Sequence, residues 1–108
     1  MLQNSDDSEV MSSKDVELTN QHVIVLFQNS PNPFKEQTTI EYYLPDEVQQ
    51  AQIIFLEQSG KLIKTVDLTE KGKGLLNVFA NDLTSGIYSY SLIVDGQTVE
   101  TKKMVKTK

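Results

Sequence analysis

An all-β fold, a seven-stranded antiparallel β-sandwich of Ig-like outline, is predicted for residues 22–108 by three observations. Short apolar or alternating runs recur at the spacing of about 8–12 residues that sandwiches and barrels show. Proline, glycine and Asn/Asp/Ser pairs separate them, the residues that turns need for their special backbone angles. No stretch carries a sustained 3.6-residue period, so no helix competes.

The elements follow in order. HVIVLFQ at 22–28 is β-branched and apolar and reads as the first strand. TTIEYYL at 38–44 alternates, placing Ile40, Tyr42 and Leu44 on one face and Thr39, Glu41 and Tyr43 on the other. Pro45 then ends the ladder because it has no amide hydrogen. AQIIFLE at 51–57 and KLIKTVDL at 61–68 are separated by the turn Ser59-Gly60. EKGKG at 70–74 reads as loop, and LLNVFA at 75–80 as the fifth strand. GIYSYSLIV at 86–94 alternates most clearly, with Tyr88, Tyr90, Leu92 and Val94 on one face. Asp95-Gly96 is a strong two-residue hairpin signal, and it pairs that strand with QTVETKKMV at 97–105.

QNSPNPF at 28–34 is the stiffest stretch. Each proline holds the preceding residue, Ser30 or Asn32, in extended geometry. Pro31 and Pro33 also remove two backbone donors. The first strand is therefore expected to stop pairing near Gln28, the chain to cross to the other sheet, and Phe34 to enter one end of the core. Burying a phenylalanine side chain contributes roughly 2–3 kcal/mol, enough to pin such a corner.

The bulk composition narrows the function. The 108 residues suffice for one domain. The net charge is −5, with ten lysines and no arginine, which is no face for nucleic acid. Most of that charge lies in residues 1–22, where Asp6, Asp7, Glu9, Asp15 and Glu17 stand against Lys14 alone. Residues 1–21 read as an acidic flexible linker. No apolar run approaches the ~18 residues of a membrane-spanning helix. MLQNSDDSEV lacks the apolar stretch of a signal peptide, so the chain is expected to be cytoplasmic or to follow an export signal located upstream.

Chemistry is sparse. There is no cysteine, hence no disulfide and no thiolate. His22 is the single histidine, too few for a transition-metal site. KGKG at 71–74 lacks the ending of a phosphate-binding loop, and Asp6-Asp7-Ser8-Glu9 lacks calcium-loop spacing. No enzyme and no cofactor are expected.

Two features exceed what a plain sandwich requires. If Ile53 and Phe55 face the core, Ile54 and Leu56 point outward. Leu75 and Phe79 raise the same problem beside Leu76 and Val78. With Tyr43 they are expected to form one exposed apolar patch, a contact surface and a route to a weak homodimer. The chain also closes on TKKMVKTK, where Lys102, Lys103, Lys106 and Lys108 cluster. Lysines on an edge strand discourage edge-to-edge pairing.

The ordered stretches LFQNSPNPF (26–34), TTIEYYLP (38–45), IIFLEQSGKLIKTV (53–66), LTSGIYSYSLIVDG (83–96) and TKKMV (101–105) resemble a type A C-terminal sorting domain of the type IX (Por) secretion system. No single motif is specific; their order and spacing carry the resemblance. By position it implies sorting-motif roles for Pro31, Asn32, Pro33 and Phe34, for Gly60 and Lys61, for Leu83, Gly86, Ile87 and Tyr88, and for Thr101, Lys102, Lys103, Met104 and Val105. Gln58 departs from the family pattern, which favours an apolar residue there.

The resemblance further implies an upstream cargo, outer-membrane translocon and shuttle proteins, and a surface sortase as partners. The implied path runs through the periplasm to the outer membrane and cell surface, or to the medium. The different expectation, a spacer or adhesion module, rests on the apolar patch and would act by self-association or carbohydrate contact.

Overall fold

The computed structural model describes residues 23–81 and 83–108. The expected linker at 1–21, His22 and Asp82 lie outside the described residues.

Seven strands form: β1 (Val25–Leu26), β2 (Gln37–Leu44), β3 (Ala51–Glu57), β4 (Leu62–Leu68), β5 (Gly72–Phe79), β6 (Gly86–Val94) and β7 (Gln97–Lys106). Every pairing between these strands is antiparallel. One sheet has the order β1-β2-β5 and the other β4-β3-β6-β7. No helix occurs among the described residues. In the constant-type immunoglobulin arrangement the fourth strand borders the sheet of the first, second and fifth. Here β4 instead edges the sheet of β3, β6 and β7.

The alternation read from sequence sets the core. Ile40, Tyr42 and Leu44 of β2 are buried, as are Ile53 and Phe55 of β3 and Tyr88, Tyr90, Leu92 and Val94 of β6. The rings of Phe55 and Tyr90 pack tilted, with centroids 6.2 Å apart, within the range aromatic pairs prefer. Met104 is the buried residue of β7. Asp95 and Gly96 both take positive φ, at 50° and 84°, the two-residue turn whose twist matches a hairpin. The Asp95 carboxylate also accepts from the backbone N–H groups of Gln49 and Gln50, at 3.1 and 2.8 Å. It thereby ties the β6–β7 hairpin to the entry of β3.

Two strands depart from their expected limits by more than one residue. The first strand is not 22–28: the β1 ladder covers only Val25 and Leu26. Pairing nevertheless extends past Gln28, because Ser30 and Thr39 exchange both backbone hydrogen bonds, at 2.9 and 3.0 Å. Pairing runs two residues beyond Gln28 because Ser30 keeps its own N–H, and Pro31 is the first residue to lack that donor. The second difference is at 70–74, expected as loop: β5 starts at Gly72. Gly74 pairs with Tyr42, whose ring lies over it so closely that a Cβ there would overlap the ring. The tyrosine supplies the cross-strand packing that the glycine lacks. Burial of the Tyr42 phenol, assisted by the Glu70 carboxylate, raises its pKa.

Candidate functional site: one end of the sandwich

The proline corner crosses from one sheet to the other, as its sequence implies. It leaves the first sheet at the Ser30–Thr39 bridge and reaches the second at a parallel bridge between Phe34 and Lys106. The Phe34 N–H donates to the Val105 carbonyl at 2.9 Å, and the Thr107 N–H donates to the Phe34 carbonyl at 2.8 Å. The Asn32 side chain adds a third link, its Oδ1 accepting the Val105 N–H at 2.8 Å. Phe34 itself is 2% exposed. Pro31, Asn32 and Pro33 stay exposed around it, and both proline peptide bonds are cis.

These bonds fall on the outer edge of β7, the edge β6 does not use. An edge strand presents unpaired N–H and C=O groups that invite foreign strands. Here the Val105 N–H and C=O and the Thr107 N–H meet the corner instead. Gln28 supplies the remaining contact, its Nε2 donating to the Lys103 carbonyl at 2.6 Å.

The other motif residues gather at the same end. Glu57, beside the Gly60-Lys61 turn, pairs with Tyr88, which pairs with Met104. The turn closes through Gly60 N–H to the Glu57 carbonyl at 2.8 Å and Glu57 N–H to the Lys61 carbonyl at 2.9 Å. Gln58 is exposed in it, so an apolar residue is not needed there for the turn to form. Leu83 packs against the core as β6 begins. The Tyr88 hydroxyl reaches back to donate to the Thr84 carbonyl at 2.6 Å, a tyrosine corner in the sense used for sandwich domains. Gly86 between them has φ +155° with nothing within 4 Å of a built Cβ. Backbone conformation, not lack of space, selects glycine there. Ile87 pairs with Val105 and Gly86 with Lys106.

The lysines divide between faces. Met104 is buried, and Lys102 and Lys106 flank it on the same side of β7 at partial burial; Thr101, Lys103 and Val105 alternate with them. Lys102 lies 3.9 Å from Glu100. Among the described residues, no three His, Cys, Asp or Glu side chains come together as a metal site requires.

The expected apolar patch is not one patch. Tyr43, Leu75 and Phe79 lie on the outer face of the β1-β2-β5 sheet, with Leu75 68% and Phe79 58% exposed. Ile54 and Leu56 lie on the outer face of the other sheet, half-buried beside Ser91 and Ser89. Alternation identifies which side chains turn outward, but the sheet each strand joins decides which of them meet. A surface built from all five residues therefore does not exist. The residues that sequence reasoning missed are Gln28 and Asn29, just before the prolines. Their signal was slight: two amide side chains at the entry to a turn.

Fold and site together define a class: a sandwich domain in which two segments far apart in sequence are hydrogen-bonded together at one end. A family model described as secretion system C-terminal sorting domain matches residues 30–107, and the chain belongs to this family of type IX sorting tails. A comparison with curated proteins found no match. Membership implies an upstream cargo, the type IX machinery, and export to the outer membrane, the cell surface or the medium.

Proposed function

We propose that the machinery reads this domain as a folded surface: the Pro31–Phe34 corner joined to the Lys102–Val105 strand. The domain carries a cargo through the periplasm to the outer-membrane translocon. A sortase-like cysteine peptidase then cuts ahead of it at the cell surface, releasing the cargo for attachment to anionic lipopolysaccharide. The domain performs no chemistry of its own. One observation supports the reading above others. The two motifs, 73 residues apart, are hydrogen-bonded to each other through Asn32 and Val105. A linear tag would need no such bond.

The test fuses residues 1–108 behind a periplasmic reporter in a cell with type IX machinery. The intact fusion is expected at the surface or in the medium. Deleting 105–108, which removes the N–H groups of Val105 and Thr107, is expected to leave the reporter in the periplasm. Delivery of the deleted form at the intact rate would refute the folded-surface reading.

A further inference from the structure

A set of buried polar groups lies directly beneath the corner. Tyr90, Thr38 and Asn29 are 0%, 1% and 2% exposed. Polar atoms so deep must be paired, or each costs about 1–3 kcal/mol. Here each is paired, and the pairs form a path. The Tyr90 hydroxyl accepts the Asn29 N–H at 2.7 Å and donates to the Phe27 carbonyl at 2.8 Å. The Asn29 Nδ2 donates to the Pro31 carbonyl at 3.1 Å and to the Thr38 hydroxyl at 3.0 Å. That hydroxyl donates in turn to the same Pro31 carbonyl, at 2.8 Å. The Asn29 Oδ1 accepts from Gln28 Nε2 at 2.7 Å, and Gln28 Nε2 is also the group that reaches the Lys103 carbonyl.

Asn29 thus uses both side-chain hydrogens and its carbonyl oxygen. Two branches leave it. One passes through Gln28 to Lys103 of β7. The other grips the carbonyl of Pro31, the residue before Asn32, which holds Val105. Tyr90, in the centre of β6, fixes the Asn29 backbone from the core side. Asn29 also stands one residue before the stretch matched by the family model.

We infer that Asn29 is the positioning residue of the sorting surface. With Thr38 and Tyr90 it transmits the geometry of the core to the corner and, through the corner, sets the register in which β7's outer edge is covered. The inference deepens the folded-surface reading and, for its effect on delivery, rests on it.

Amide hydrogen exchange on the full chain tests the positioning. Asn29→Asp keeps the shape and removes both donors. Thr38→Val keeps the shape and removes the hydroxyl, and it serves if the aspartate variant does not fold. Thr38→Ser retains the hydroxyl. Exchange at Phe34, Val105 and Thr107 is expected to rise about tenfold in Asn29→Asp and about threefold in Thr38→Val, the scale of one net hydrogen bond or less. In both, the β3–β6 ladder amides stay at the wild-type rate, and Thr38→Ser matches wild type throughout. Corner amides that keep their protection would overturn the inference. So would equal acceleration of the corner and the β3–β6 ladder, which marks a residue of general stability only. The reporter fusion separates the two readings. Loosened corner amides with reduced delivery support both. Loosened corner amides with full delivery uphold the positioning role and overturn the folded-surface reading.

Discussion

The two long sides of the sandwich are finished differently. On one side, β1 of the first sheet faces β7 of the second, and the chain itself bridges the gap through the proline corner. On the other, β5 faces β4, and the chain links the two strands at one end only, through residues 69–71. A groove of about 590 Å³ remains there, with Phe55, Val66, Leu76 and Val78 along it and Phe79 at its rim. Both edges would template a foreign strand if left bare. The first is covered by backbone bonds; the second carries Lys64 and Lys73, exposed charges that oppose pairing. Of the motif positions, Pro31–Phe34 and Thr101–Val105 lie on the bonded side, whereas the Gly60-Lys61 turn joins β3 to β4 at the same end of the molecule. Covering an edge with backbone joins two distant segments into one surface, and on the proposed folded-surface reading that joined surface is what the machinery meets.

The sharpest way to break this contrast is Phe34→Ala. The side chain is 2% exposed and anchors the crossing segment. Removing a buried phenylalanine costs about 3–5 kcal/mol. Chemical denaturation is expected to show a loss of that order, and the loss should be accompanied by exposure of the Val105 and Thr107 amides. A loss below about 1 kcal/mol would mean that the corner rests on its backbone bonds alone.

High pH should act next, and on the same side. Burial pushes the Tyr90 phenol up to about 12, with the Asn29 N–H bond partly opposing. The folded-state pKa is above the unfolded value, so this group's contribution is complete below pH about 10. It is lost as pH rises from there through about 12. Tyr42 shifts in the same direction and adds to the loss. Denaturation midpoints are expected to be flat from neutral pH to about 9 and to fall beyond 10. Tyr90→Phe should flatten most of that fall. An unchanged fall would assign it to other groups.

The closed side was also the more readable one. Proline geometry is local, so the crossing and the burial of Phe34 follow from QNSPNPF and from the apolar run before it. The Asp95-Gly96 hairpin is local for the same reason. The start of β5 was hidden because KGKG has loop composition, and the ring that makes Gly74 acceptable in a strand belongs to Tyr42, 32 residues earlier. The apolar residues on the outer faces were recognised as outward, yet their grouping required the sheet order, which alternation does not encode. Asn29 was the hardest to see. Its backbone partner, the Tyr90 hydroxyl, lies 61 residues away, and nothing near either residue names the other.

The smallest effect is expected on the open side. Leu75 is 68% exposed and sits opposite Glu41 on β2. Leu75→Lys removes little buried area and places a cation across from a carboxylate, a pair that contributes roughly 0.2–1 kcal/mol in a sheet. Stability should stay within about 0.5 kcal/mol of wild type or rise slightly, and delivery of the reporter should be unchanged. The same lysine at Val105, beside Ile87 on the bonded side, should reduce delivery even where stability is kept. If Leu75→Lys alone impairs delivery, the machinery also reads the outer face of the β1-β2-β5 sheet. The division between a read side and a merely guarded side would then be wrong.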